Sequence, residues 1–122
     1  MANQFDVHIV TAPVVLTGAT EVPLVHFEAG GGGMTVLSAD FINAGTAVGG
    51  KLVTMTDAGT PAINGTIGAF AGTITVSATI PAALTVSDGF VDAGEWIGYD
   101  QTSGTVPAGS FVSIAYVMGR AG

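Results

Sequence analysis

Apolar and polar positions alternate along most of the chain with a period of two, and a 3.6-residue repeat is nowhere sustained. The stretch 84–118 shows this best. Leu84-Thr85-Val86 alternates, Asp88-Gly89 and Asp92-Ala93-Gly94 supply turn residues, and 95–100 (EWIGYD) reads as a strand. A polar Gly/Pro loop over 102–109 then leads into a last strand, so the pattern predicts three strands and two turns. On that last strand Phe111, Ser113, Ala115 and Val117 share one face, and Val112, Ile114, Tyr116 and Met118 share the other. A strand apolar on nearly both faces is expected where a sheet is covered on both sides, inside a sandwich or at a subunit contact.

The same grammar holds upstream. Residues 5–10 (FDVHIV) place Phe5, Val7 and Ile9 on one face and Asp6 and His8 on the other, a half-buried strand. Residues 22–27 (VPLVHF) make a strand in which Pro23 has no N–H to give to a ladder, which predicts an edge or a bulge. Gly30 to Gly33 has no following lysine or helix and reads as a hairpin loop or hinge, because the next residues, 34–42, form a strand pattern. Residues 51–56 alternate, Asp57 to Pro61 breaks the run, Asn64-Gly65 is a type I′ turn signal, and 73–80 (TITVSATI) is a further alternating strand. The one helical candidate, 38–47, contains Gly45 and Thr46 and lacks the apolar repeat. About eight strands at intervals of 8–12 residues predict an all-β, antiparallel β-sandwich, with an eight-stranded jelly roll first and an immunoglobulin-like order second. The chain reads as a single domain: 1–33 as N-terminal strands or an arm with a Gly-rich hinge, and 34–122 as the sandwich body.

Composition changes this picture in one respect, the surface. The chain has 122 residues, no cysteine, 9% charged residues and a formal charge of −7, with Lys51 and Arg120 its only Lys or Arg. Thiolate metal sites and disulfides are excluded, and so is a phosphate-binding surface, which needs clustered basic residues. No nucleic-acid partner is expected. No run of 18 apolar residues predicts a membrane span, and the start MANQFDVHIV lacks a secretory pattern, which leads to the expectation of cytoplasmic synthesis. Residues 58–87 contain no Asp, Glu, Lys or Arg, a poor exterior for a lone monomer and one that predicts a homo-oligomer. The interface is expected from the apolar strand faces: Phe5, Val7 and Ile9, with Val112, Ile114, Tyr116 and Met118.

Candidate chemistry is sparse. His8 and His26 have no second nitrogen or sulfur ligand at metal spacing, and no nucleophile elbow supports a Ser–His–Asp site, so neither an enzyme nor a cofactor is expected. Asp88, Asp92, Glu95 and Asp100 crowd one turn-strand region where calcium is a minor alternative to ordinary turn chemistry. Trp96 and Tyr99 lie on opposite faces of one strand; one is expected in the core, and the other is a possible sugar-stacking surface. Asn64-Gly65-Thr66 matches a glycosylation acceptor, though the tight turn is the simpler reading.

Two segments, FINAGTAVGGKLVTMTDAGTPAINGTI at 41–67 and LTVSDGFVDAGEWIGYDQTSGTVPAGSFVSIAYVMGR at 84–120, resemble the small jelly-roll decoration, cement or head-fibre proteins of tailed bacteriophage virions. The likeness is one of turn placement: apolar strand, Asn/Gly-rich turn, Thr-rich strand, and a closing strand ending in Tyr-Val. It spans most of 34–120 and leaves 1–33 unmatched. It implies a non-enzymatic virion structural protein on the capsid surface, a trimer bound to the major capsid protein lattice, and it assigns no individual functional residue. A small β-sandwich module that binds carbohydrate or another surface through Trp96 or Tyr99 is the alternative.

Overall fold

A computed structural model describes residues 6–16, 20–27, 32–42, 48–70, 82–104, 106 and 109–119. Among them there is no helix, and nine strands follow in order: β1 (His8–Pro13), β2 (Glu21–His26), β3 (Met34–Ile42), β4 (Val48–Met55), β5 (Ile63–Phe70), β6 (Ala82–Val86), β7 (Phe90–Val91), β8 (Trp96–Gly104) and β9 (Phe111–Met118). The strand predicted at 73–80 lies outside the described residues. Residues 102–104, read as loop, continue β8, and Asn64-Gly65 lies inside β5. The β4–β5 connection is instead made at 57–61, where Thr56 N donates to Ala62 O at 2.9 Å.

Every pairing is antiparallel, and the order is β1-β9-β3-β6-β5-β4-β8-β2, with the two-residue β7 beside β3. Setting β7 aside, the chain pairs outward from its middle: β4 with β5, β3 with β6, β2 with β8, and β1 with β9. This is one long hairpin curled on itself, the jelly-roll order rather than the immunoglobulin one. Curling brings β9 against β3 and β4 against β8. β6 crosses from one sheet to the other, pairing β3 through Ala82 and Ala83 and β5 through Leu84, Thr85 and Val86. One side of the sandwich is thereby closed by hydrogen bonds, and among the described strands the open edges are β1 and β2.

Both N-terminal strands pair within the sandwich, β1 with β9 and β2 with β8. The phase of β1 differs from the expectation. Val10 and Ala12 turn inward and Val14 is buried beyond them, while Val7 and Ile9 are 58% and 71% exposed. The window 5–10 ended too early: the strand runs to Pro13, and the even phase buries Val10, Ala12 and Val14 where the odd phase would bury Thr11 and Pro13. Phe5 lies outside the described residues.

Between the sheets sits an apolar core of Met34, Val36, Phe41, Leu52, Ile67, Phe70, Ile97, Tyr99, Val112 and Ile114. Phe41 from one sheet meets Phe70 and Tyr99 from the other, with ring centroids 5.7 and 5.3 Å away. Val112 and Ile114 thus have no surface to offer a neighbouring subunit, and that part of the expected interface is core; Tyr116 is half-buried and Met118 is exposed. On β3 the inward phase changes at Leu37, where the register to β9 slips between Val36 and Ser38, so that Met34 and Val36, then Ala39 and Phe41, all point inward. β2 carries both features that Pro23 predicted: it is an edge, and its register shifts between Pro23 and Val25.

Candidate functional site

The polar residues gather at the end of the sandwich where β4 finishes and β5, β7 and β8 begin. Two turns build the rim. Asp88 Oδ1 accepts from Phe90 N at 3.3 Å, a side-chain turn that aims the chain into β7. Asp92 O accepts from Glu95 N at 3.1 Å, closing a second turn whose third residue, Gly94, has φ 91°, a conformation open to glycine at little cost. Glu95 then returns a bond, its Oε1 accepting from Asp92 N at 3.1 Å.

Glu95 also ties this turn to the β4–β5 hairpin. Its Oε2 accepts from Asn64 Nδ2, and Asn64 Oδ1 accepts in turn from Thr54 Oγ1 at 2.6 Å. Thr54, Asn64, Gly65, Asp88, Phe90, Asp92 and Glu95 line an open groove of about 300 Å³. On the other side of the turn His26 Nε2 donates to Gly94 O at 3.0 Å and has Asp57 Oδ1 at 3.3 Å, with its ring 4.8 Å from that of Trp96. A second aromatic group lies on the β1 side, where Tyr116 stacks on His8 at 5.4 Å and meets the edge of Phe27 at 5.5 Å.

Three of the four carboxylates singled out in the sequence, Asp88, Asp92 and Glu95, therefore share one groove. Asp100 does not line it; it pairs across β8 with Glu21 and Lys51. No group of three or more His, Asp or Glu among the described residues is arranged to hold a metal ion. Of the two aromatics, Tyr99 is fully buried and cannot stack on a sugar, whereas Trp96 is half-buried beside His26. Asn64 is engaged through both atoms of its amide rather than presented on a turn. Thr54 and Phe90 were not legible as groove residues, because their positions read as ordinary strand alternation and nothing local links them to Glu95.

Chemically the arrangement is a brace. Thr54 directs its hydroxyl hydrogen to the Asn64 amide, and both Glu95 oxygens accept bonds, so the groups that most resemble a nucleophile and a base hold strands together. No family model matches the chain, and no curated protein or solved structure matches it either.

The brace makes a prediction. Asn64→Asp replaces the donor facing Glu95 with a second carboxylate, whereas Asn64→Ala only removes the bonds. Asn64→Asp is expected to lower stability by about 2 kcal/mol at neutral pH, more than Asn64→Ala, and to recover as acid protonates the pair. Urea midpoints of the two variants at pH 7 and pH 4 measure this; equal midpoints at both values would show that Asn64 and Glu95 do not interact.

Proposed function

We propose that the chain is a non-enzymatic structural protein of a tailed-phage virion, which decorates or cements the head by binding the lattice of its major capsid protein. The observation that carries this reading is the strand order. The nested pairing from β4–β5 out to β1–β9 is a jelly roll, and a jelly roll is what the resemblance of residues 34–120 implies. Two further features support it. Glu95, one of three carboxylates in the groove, spends both of its oxygens on bracing the turn and the hairpin, and the chain carries few charges, with none over 58–87.

With only two Lys and Arg against nine Asp and Glu, attachment to a shell draws chiefly on apolar and main-chain contacts repeated over many copies. Binding to purified particles is therefore expected to survive about 1 M salt, where the Debye length falls to about 3 Å. Particles that lack the protein are expected to lose their genome at lower temperature. Complete release by modest salt would point to ionic attachment, and unchanged heat resistance would leave decoration without a cementing role.

The half-exposed Trp96 ring, next in sequence to the groove residue Glu95, favours a second reading, a glycan-binding module. Retention on immobilised polysaccharide that Trp96→Ala abolishes would favour it, particularly if the protein does not bind phage particles.

A further inference from the structure

We propose that the chain forms a twofold dimer through the open edge of β1, whose backbone pairs antiparallel with β1 of a second copy. The hydrogen-bond ladder determines which groups that edge offers. Val14 N donates to Ser110 O at 3.0 Å, one step beyond the Pro13↔Phe111 pair, and the register along β1 is uniform. In an antiparallel ladder alternate residues face the same neighbour. The even residues of β1 therefore turn their backbone groups toward β9, and Val7, Ile9 and Thr11 turn theirs to the open side. No described strand pairs on that side.

Open edges in natural sheets are usually blunted by charge, proline or a bulge. β2, the other open edge, has all three. Gln101 N donates to Thr20 O at 2.7 Å, so by the same parity Glu21 and Pro23 face its open side, where Pro23 has no donor to offer, and the register slips just beyond it. β1 carries only one of these guards, Pro13, whose missing N–H falls on the open side at the far end of the strand. From Val7 to Pro13 there is no Asp, Glu, Lys or Arg, and the proline comes last.

A second copy fits this edge because the edge is self-complementary. Antiparallel pairing centred on Ile9 sets it opposite the second copy's Ile9, and sets Val7 opposite the second copy's Thr11. At −7 the protein repels its own copies over much of its surface, yet here the one nearby charge, Asp6, falls opposite the second copy's Ala12. A threefold ring would require β1 to meet a different edge on the next copy, and the other edge among the described strands is the blunted β2. A twofold needs β1 alone, and it continues the β1-β9-β3-β6 sheet across the axis. The inference stands apart from the virion reading, since it uses no property of a shell.

Light scattering of the full chain at micromolar concentration is expected to give twice the 12.0 kDa of one chain. Ile9→Lys, which sets two ammonium groups against each other at the axis, is expected to give a monomer with an unchanged far-ultraviolet spectrum. Ile9→Pro removes a donor on the open side only and should do the same. The natural chain has no cysteine, so Ile9→Cys supplies a sharper readout. Paired residues across the axis lie about 5.5 Å apart at Cα, inside the roughly 4.4–6.8 Å that a disulfide spans. Mild oxidation should therefore link Ile9→Cys into a covalent dimer and leave Leu37→Cys, two strands inward on β3, unlinked. A wild-type monomer, a trimer, or a dimer that Ile9→Lys leaves intact and Ile9→Cys does not cross-link would overturn the proposal.

Discussion

Gly68→Ala is expected to lower the unfolding free energy by about 3 kcal/mol, the upper end of the usual cost of overpacking. A Cβ at Gly68 would stand 2.3 Å from the Thr85 carbonyl oxygen and 3.1 Å from Val86 Cα, and both are backbone atoms. No rotamer change relieves a clash with backbone. Relief would come from parting β5 and β6 at Gly68↔Val86 and Ala69↔Thr85, the pairs by which β6 closes one side of the sandwich. For a domain of this size the loss corresponds to a fall of about 10 °C in melting temperature. Gly59→Ala is the control: its Cβ would meet nothing within 4 Å, and a change under about 0.5 kcal/mol is expected. Calorimetry that found both variants equally stable would contradict the described junction of β5 and β6.

The second large effect concerns Tyr99, whose ring completes the aromatic contact between the sheets while its hydroxyl, fully buried, finds no hydrogen-bond partner among the described residues. Gly50→Ala should cost about 2 kcal/mol or more, because its Cβ would lie 2.1 Å from that hydroxyl oxygen and 2.4 Å from Tyr99 Cζ, with the ring held between Phe41 and Phe70. Tyr99→Phe should act in the opposite direction, gaining about 1 kcal/mol by removing an unpaired buried hydroxyl. Alkali separates the wild type from Tyr99→Phe further. Burial, aided by the charge of Asp100, raises the Tyr99 pKa from 10.0 to about 12. The unfolded chain ionises this phenol near 10 and the folded chain only near 12, so the contribution is intact below pH 10 and is lost as pH rises to about 12. At 1.36 kcal/mol per pH unit the loss approaches about 3 kcal/mol. Urea melts between pH 9 and pH 12 should show the wild type weakening faster than Tyr99→Phe, and parallel curves would show that this phenol is already open to solvent.

Strand identity was legible where the apolar period and the punctuation agreed. β9 was read from its alternation and from the loop before it, and the jelly roll was the first choice on strand number and spacing. Pro23 called for an edge or a bulge through its missing N–H alone, and β2 has both. Asn64-Gly65 shows the limit of such local signals. Its turn propensity yielded to the strand, because Thr54 and Glu95 hold the Asn64 amide and the actual turn falls at the Asp57 to Pro61 break. The groove was half legible. Asp88, Asp92 and Glu95 are close in sequence, but Thr54 and Asn64 reach them only through the pairing of distant strands.

By itself the sequence determined an antiparallel all-β domain with almost no cationic surface, since a period of two, turn residues at short intervals and a count of charges are local properties. The tertiary structure alone decided which face of each strand is inside. A one-residue change of phase reverses every side chain, and the phase is set by what the opposite sheet needs to bury. That is why Ile9 lies exposed on an open edge while Val112, Ile114 and Tyr99 fill the core. It also decided which edges remain open among the described strands, because closure by β6 depends on its pairing to β3, three strands earlier in the chain, as well as to its neighbour β5.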